Sequence, residues 1–171
     1  MDAHIRRGRV ADAPGIARVH WDSHQTTYVL PGRVARDKVE AWTMRIRIST
    51  WTANLAIAND VYPVPEGFHR MAIWVAEVGG EVVGWACTSS GHETDAPREL
   101  WLEGIYVLEQ HHGTGVGQAL LEAAIGDRPA YLWALEDNPR AHAFYRRNGF
   151  ELDGADQFDD QWEVTEVRFV R

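Results

Sequence analysis

Three alternating glycines stand where a phosphate could bind. Gly113, Gly115 and Gly117 follow an apolar run at 100–108 and open a stretch of helical periodicity that runs to about residue 125. A helix that begins after a glycine loop presents unpaired backbone N–H groups and the positive end of its dipole to one point. Glycine also lets the backbone approach an anion without a Cβ in the way. The spacing therefore predicts a strand, an anion-binding loop and a helix in succession.

Two familiar phosphate loops can be tested against this spacing. A nucleotide P-loop requires Lys and then Ser or Thr after its last glycine, whereas Gln118 and Ala119 follow Gly117. A dinucleotide fingerprint that starts at Gly113 requires Gly or Ala at position 118, although Glu136 lies near the ~20-residue distance of a ribose-binding acid. The P-loop is excluded, and a dinucleotide-dependent enzyme remains an alternative.

One carboxylate interrupts the apolar run. Glu103 lies two residues from Ile105 and four from Val107, so strand alternation is expected to place all three on one face. A carboxylate in such a place is costly unless it is paired or used in chemistry. Glu103 is therefore the candidate general base, acting through water. A structural salt bridge is the alternative for Glu103, and Glu99 is the second candidate base.

Strands and helices alternate around these residues. The predicted elements are a strand at 5–10, helices at 12–24 and 34–51, a loop at 52–70, strands at 71–78, 81–89 and 100–108, a helix to 125, a strand at 130–135, a helix at 139–148 and strands at 150–152 and 162–170. This order, β-α-α-β-β-β-α-β-α-β-β, predicts a mixed α/β sandwich.

Composition bounds the class of protein. A chain of 171 residues with 45% hydrophobic residues predicts one domain, 1–171, that buries about two-thirds of its unfolded surface. The net charge of -8 disfavours nucleic acid as a partner. Cys87 is the single cysteine, which excludes an internal disulfide and a cysteine zinc site, so we expect it to be a core residue. Apolar runs of membrane-spanning length are absent from the sequence, and we expect a cytoplasmic protein without a membrane partner.

The histidines and tryptophans of the first two predicted helices are candidates for binding a metal ion or an organic cation. His20 and His24 are four residues apart, a spacing that suits two metal ligands, but a third ligand is not evident nearby. We therefore expect no metal site and a solvated or substrate-facing helix surface. Trp21, Trp42 and Trp51 could form an aromatic box for a cation, with core packing as the alternative.

The motifs taken together resemble those of a known family. The segment Gln110-x-x-Gly113-x-Gly115 closely resembles the (Arg/Gln)-x-x-Gly-x-(Gly/Ala) pyrophosphate loop of the GNAT family of N-acetyltransferases. Asn138, the helix after it and Tyr145-x-x-x-Gly-Phe150 resemble the second motif of that family. From residue 71 to the end, the resemblance rests on specific motifs. Over the first seventy residues, it rests mainly on the order of the helices and strands. It implies a GNAT-type fold, in which a mixed, mostly antiparallel sheet is flanked by helices.

The resemblance also implies a cosubstrate and a set of residues that bind it. Acetyl-CoA would lie between strands that splay apart at Val107 and Leu135, with its pantetheine arm on the backbone of the first strand and its pyrophosphate in the glycine loop. Asn138 would contact acetyl-CoA, or simply cap its helix. The residues implied to bind acetyl-CoA are Ile105, Tyr106, Val107, Gln110, His112, Gly113, Thr114, Gly115, Val116, Gly117, Asn138 and Tyr145.

The activity implied is transfer of the acetyl group to a primary amine of a small molecule or peptide by direct attack in a ternary complex, without a metal. Tyr145 would protonate the departing thiolate, and Glu103 would take a proton from the acceptor. Related proteins pair through sheet edges or terminal strands, and the predicted final strand at 162–170 would have an unpaired edge, so a homodimer is expected. A non-catalytic acyl-CoA-binding or sensor protein is the alternative, because a fold and a cofactor site do not establish turnover.

Overall fold

The computed structural model describes residues 3–91 and 93–171, so Met1, Asp2 and His92 of the predicted domain lie outside the described residues. The helices are α1 Ala13–His24, α2 Arg36–Ala41, α3 Met44–Ala58, α4 Val116–Ile125 and α5 Pro139–Arg147. The strands are β1 His4–Arg7, β2 Ala72–Val78, β3 Glu81–Ser90, β4 Leu100–Val107, β5 Tyr131–Leu135, β6 Glu151–Asp159 and β7 Val164–Val170. A π-helical turn, Gln25–Val29, follows α1 directly.

The strands form one seven-stranded sheet in the order β1-β2-β3-β4-β5-β7-β6. Every neighbouring pair is antiparallel except β4 and β5, which are parallel. The predicted mixed, mostly antiparallel sheet flanked by helices is confirmed. In the part of the chain that the structure describes, no helix is both long enough and apolar enough to cross a membrane.

The helix predicted at 34–51 is wrong in both its continuity and its end. The chain breaks between α2 and α3, where the Thr43 side chain caps α3 by accepting a hydrogen bond from the backbone N–H of Ile46 at 3.4 Å. α3 then continues through residues predicted to be a loop, because Leu55 extends the buried face begun by Trp51. The first crossover therefore contains three helices instead of two.

The strand predicted at 150–152 is also longer than expected. β6 runs to Asp159, with a bulge in its pairing to β7 between Leu152 and Asp156. Most of its residues are exposed, and its only large apolar residues are Leu152 and Phe158, so it lacks the apolar alternation by which a half-buried strand is recognised. β6 is the edge strand of the sheet on this side, and the expectation of an unpaired edge on the final strand is wrong, because β7 pairs with both β5 and β6.

Candidate active site

A cleft opens where β4 and β5 separate. The parallel pairing of these two strands is limited to Trp101 beside Tyr131, and toward their carboxyl ends they no longer pair, as the family resemblance implied. The gap continues into a cavity of about 500 Å³, whose walls include residues 102–107 of β4 and residues 133–135 of β5. Such a gap leaves backbone groups of both strands available to a ligand.

Strand alternation decides which backbone groups of β4 face the cleft. The N–H of Leu108 donates to the C=O of Val83 at 2.9 Å, which fixes the phase of the β3–β4 ladder. Because hydrogen-bonded pairs alternate in an antiparallel ladder, the backbone of Tyr106 bonds to Trp85 while that of Ile105 and of Val107 faces away from β3, toward the gap. This arrangement favours Ile105 and Val107 as backbone partners of a ligand. Tyr106 meets the cleft with its side chain.

The glycine loop leaves open space in front of α4. Gly113 and Gly115 have φ values of 75° and 89°, a left-handed conformation that side chains other than glycine rarely adopt. A Cβ built at either position meets no described atom within 4 Å. Gly115 is the N-cap of α4, and among the described residues no side chain caps this end. The first N–H groups of α4 are therefore directed at open space, as an anion site requires.

His112 holds the loop in place. Its Nε2 lies 2.9 Å from the C=O of Val107, and its Nδ1 lies 2.8 Å from Nη1 of Arg140. A carbonyl only accepts and a guanidinium only donates, so the ring is neutral with its proton on Nε2. Burial and the Arg140 charge lower the pKa of His112, in agreement with this state. Arg140 also donates to Oγ1 of Thr27 at 3.1 Å, which ties the loop to α5 and to the π-helical turn.

The other predicted loop residues differ in position. Thr114 donates its hydroxyl to the C=O of His111 at 2.7 Å and so stabilises the turn. Val116 is buried, and its backbone begins α4. Gln110 lines a separate surface cavity with Asp22 instead of the cleft. Gln118, which the sequence did not single out, lines the cleft beside Gly117.

Asn138 and Tyr145 lie in the cleft wall at opposite ends of α5. The Asn138 side chain accepts a hydrogen bond from Ala141 N–H at 3.2 Å, so it caps α5 and also lines the cleft. The Tyr145 ring contacts Phe150 and Phe169, with centroids 5.9 and 5.7 Å away. Burial raises the pKa of Tyr145, with a smaller effect from Tyr28, so its hydroxyl keeps its proton at neutral pH.

Glu103 lies at a β-bulge. Cys87 pairs with Gly104 and Thr88 pairs with Leu102, so the ladder passes over Glu103. The regular alternation from Glu103 to Ile105 that the sequence analysis assumed is therefore interrupted. Glu103 lines the large cleft and also a second cavity of about 240 Å³. Glu99 is exposed and lines neither cavity, which favours Glu103 as the candidate base.

The second cavity is walled by aromatic rings that the sequence only partly anticipated. Its aromatic lining includes Trp42 and Trp51 of the predicted box, whereas Trp21 lies against the Arg47 guanidinium at 5.5 Å. The further aromatic lining residues are His20, Trp85 and Tyr106. Tyr106 also meets the hydroxyl of Tyr28 at 3.2 Å, and no spacing in the sequence indicated that pair.

The sequence predicted a solvated or a substrate-facing surface for His20 and His24. The solvated alternative is wrong, whereas the substrate-facing one stays a prediction, since His20 lines the second cavity. His20 accepts a hydrogen bond from Trp51 Nε1 at 3.3 Å, and its ring centroid lies 4.2 Å from that of His24, which is 5% exposed. Burial, with a contribution from the Arg47 charge, lowers the pKa of His20 to about 3. Burial also lowers the pKa of His24, and both rings are neutral. Residues 3–91 and 93–171 contain no group of three or more side chains placed to hold a metal ion.

A protein-family model and several curated proteins are similar in sequence to this chain. Residues 69–152 match a family model described as an acetyltransferase (GNAT) domain. A probable N-acetyltransferase of Mycobacterium tuberculosis is 33% identical over 86 residues, which cover 48% of this chain and 48% of that protein. An L-methionine sulfoximine/L-methionine sulfone acetyltransferase of Pseudomonas paraeruginosa is 27% identical over 162 residues, 90% of this chain and 83% of that protein. The chain spans about half the length of the first of these curated relatives.

Solved structures share the fold. The PaiA N-acetyltransferase of Thermoplasma acidophilum, crystallised with coenzyme A, superposes with a TM-score of 0.72 at 15% identity and covers 98% of both chains. The YjaB protein of Escherichia coli superposes with a TM-score of 0.67 at 18% identity, over 99% of this chain and 97% of that one.

The glycine loop generates the first prediction. Gly115→Val should abolish acetyl-CoA binding, because a branched side chain is strained at φ 89° and occupies the space in front of α4. Isothermal titration calorimetry measures the affinity. Gly80→Val is the matched control, since Gly80 has φ 86° and an equally open surrounding but lies in the β2–β3 turn. Unchanged acetyl-CoA affinity in Gly115→Val would refute the loop as the binding site.

Proposed function

We propose that this chain, which belongs to the GNAT acetyltransferase family, transfers the acetyl group of acetyl-CoA to a primary amine of a small molecule or peptide. The observation that carries the proposal is the separation of β4 from β5 beside a glycine loop that is left-handed at Gly113 and Gly115. The gap offers strand backbone to an extended amide chain, and the loop offers N–H groups to a pyrophosphate. One cleft thus fits both parts of coenzyme A.

Each end of acetyl-CoA would meet different groups of the protein. The backbone groups of Ile105 and Val107 suit the amides of the pantetheine arm, and the backbone N–H groups of 113–117 suit the pyrophosphate. Asn138 lines the same cleft while it caps α5. Bound acetyl-CoA supplies the reactive thioester.

The chemistry requires two proton transfers on opposite sides of the acetyl group. The acceptor ammonium must lose a proton before its nitrogen can attack, and the sulfur gains one as it leaves. Tyr145 lines the cleft and keeps its proton at neutral pH, which supports it as the group that donates to the sulfur. Glu103 lines both the cleft and the second cavity, so it is placed to accept the amine proton, through water. Direct attack in a ternary complex needs no acyl-enzyme nucleophile, and the buried Cys87 has a pKa raised by burial and by the nearby Glu103 charge.

The acceptor of one relative supports a small amine. The Pseudomonas paraeruginosa protein that aligns with 90% of this chain is named for acetylation of L-methionine sulfoximine and L-methionine sulfone. Both are amino acid derivatives, which agrees with an acceptor of small size for this chain.

We further propose that the enzyme acts in the cytoplasm, where acetyl-CoA is available, and that it forms a homodimer. β6 is an edge strand, and its Leu152 and Phe158 are 45% and 61% exposed. Unpaired edges with apolar side chains favour association with a second chain. Light scattering at micromolar concentration that gives a monomer mass would contradict the homodimer.

Loss of the Tyr145 hydroxyl tests the proposed reaction. The wild-type protein should release the coenzyme A thiol when acetyl-CoA is mixed with a panel of amines, amino acids, polyamines and peptides. Tyr145→Phe should lower kcat by roughly ten- to a thousand-fold and leave acetyl-CoA affinity almost intact, because the ring contacts are kept and only the proton is lost. The measurements are a thiol-release assay and calorimetry.

Tyr131→Phe is the matched control for this variant. Tyr131 is a buried tyrosine of β5 that does not line the cleft, and its hydroxyl has no hydrogen-bond partner among the described residues. Its loss should leave kcat unchanged. Wild-type turnover by Tyr145→Phe would refute the acid role, and acetyl-CoA binding without thiol release for any amine would favour the non-catalytic alternative.

A pH profile tests the role of Glu103. Glu103→Gln keeps the shape of the side chain and removes its basicity, so kcat/KM should fall most at low pH. The defect should shrink as the pH rises, because the acceptor then arrives as the free amine and needs no base. Glu99→Gln, at an exposed position outside both cavities, should behave as wild type. A Glu103→Gln defect that is independent of pH would instead indicate a structural role.

A further inference from the structure

Arg47 is a buried cation without an anionic partner. Its side chain is on α3, and the residue is 1% exposed. Its Nε donates to the C=O of Trp42 at 2.9 Å and its Nη2 donates to the C=O of Val39 at 3.2 Å. No carboxylate of the described residues lies within salt-bridge distance of it. A guanidinium has five N–H donors and stays charged in proteins, so these two bonds leave donors and the whole charge without a counter-ion.

The same arginine lines the second cavity. Arg47, Thr50, Trp51 and Asn54 follow the spacing i, i+3, i+4 and i+7, so they share one face of α3. All four line the 240 Å³ cavity. A buried charge is costly unless a partner compensates it, and the cavity is where such a partner has room.

The second cavity also reaches the proposed reaction centre. Glu103 and Tyr106 line both this cavity and the acetyl-CoA cleft, whereas Arg47 lines the second cavity alone. A molecule in the second cavity can therefore meet Arg47 with one group and the Glu103 region with another. The cavity thus presents a fixed cation together with a carboxylate that borders the cleft.

We propose that the second cavity is the acceptor site and that the acceptor is a free α-amino acid, whose carboxylate binds Arg47 and whose amine meets Glu103. The inference rests on the proposed acetyl transfer. Planar carboxylates pair well with the guanidinium fork. The side chain of the amino acid would lie against Trp42, Trp51 and Met71, which favours an apolar one. A volume of about 240 Å³ is below the ~300–1,000 Å³ of sites for drug-sized ligands and suits a molecule of this size.

The reaction leaves the carboxylate unchanged. The bond from the amine nitrogen to the acetyl carbon forms as the carbon–sulfur bond breaks. The acceptor ammonium gives one proton to Glu103 before attack and a second proton to water as the amide forms. The sulfur receives a proton from Tyr145, which water then reprotonates. Products are the N-acetyl amino acid and coenzyme A, and Arg47 acts by holding the acceptor.

A purely structural role for Arg47 makes a different prediction. The two carbonyls that Arg47 meets lie at the end of α2, so the side chain also helps to fix the junction with α3. If this junction were the only role of Arg47, its substitution would weaken the binding of every acceptor equally. If Arg47 pairs with the acceptor carboxylate, its substitution would weaken the binding of amino acids and leave the binding of amines that lack the carboxylate unchanged.

Paired ligands and paired variants separate these roles. The ligands are L-methionine, L-leucine and L-phenylalanine, each compared with the amine left after decarboxylation. Binding to the coenzyme A-saturated protein is followed by tryptophan fluorescence, since three tryptophans line the cavity, and turnover is followed by thiol release. Arg47→Met should lower amino acid affinity and kcat/KM by about 30-fold or more and leave the decarboxylated amines nearly unchanged. Arg45→Met, an exposed site on the same helix outside the cavity, is the control and should change neither.

The remaining outcomes separate the Arg47 site from the proposed acetyl transfer. Decarboxylated amines that bind the wild type as well as the amino acids do would overturn the inference, even if Arg47→Met did not fold. An equal loss for both ligand classes in Arg47→Met would also overturn it. Thiol release that is equally fast with the amino acids and with their decarboxylated amines would leave the proposed function intact and refute the Arg47 site. Arg47-dependent amino acid binding without thiol release would refute the proposed acetyl transfer and keep the site.

Discussion

The single point of pairing between β4 and β5 is the constraint on which the site depends. Parallel strands normally continue their ladder, but here the pairing is confined to Trp101 beside Tyr131. Backbone groups that no longer pair in a ladder need other hydrogen-bond partners, so strands that separate leave groups available to a ligand or to water. The phase of the β3–β4 ladder turns the backbone of Ile105 and Val107 toward that gap. An extended chain of amides fits it because such a chain can take the place of the missing ladder.

Polar contacts at the rim hold the gap open. Through its two ring nitrogens, His112 connects the end of β4 to Arg140 of α5, and Arg140 continues to Thr27. The hydroxyl contact between Tyr28 and Tyr106 joins the π-helical turn to β4 from the other side. π-helical turns occur often at functional sites, and this one contributes both Thr27 and Tyr28 to the cleft wall. The walls are therefore set by the protein before any ligand binds, which lowers the entropy cost of binding.

The sequence predicted best what local chemistry determines. The glycine loop that opens α4, the Asn138 cap and the order of the strands follow from residues that are close in the chain, and they were recognised. The break between α2 and α3 was missed because the chain there has neither Gly nor Pro, and a threonine cap is a weak signal inside an otherwise periodic stretch. His20 and His24 were misjudged because their burial depends on Trp51, Trp85 and Trp162, which are distant in sequence. In the sequence, Arg47 and Arg140 resemble ordinary residues of a helix surface. Tertiary packing buries Arg47 and brings Arg140 within hydrogen-bond distance of His112.

Hydrogen–deuterium exchange with and without coenzyme A tests the central claim, that one ligand occupies both the strand gap and the glycine loop. The account predicts that coenzyme A slows amide exchange in the segments 104–108 and 113–118 together, while the β2–β3 turn at 79–80 is unchanged and NAD has no effect. Protection of the loop without the strand, protection at neither segment, or equal protection by NAD would contradict it.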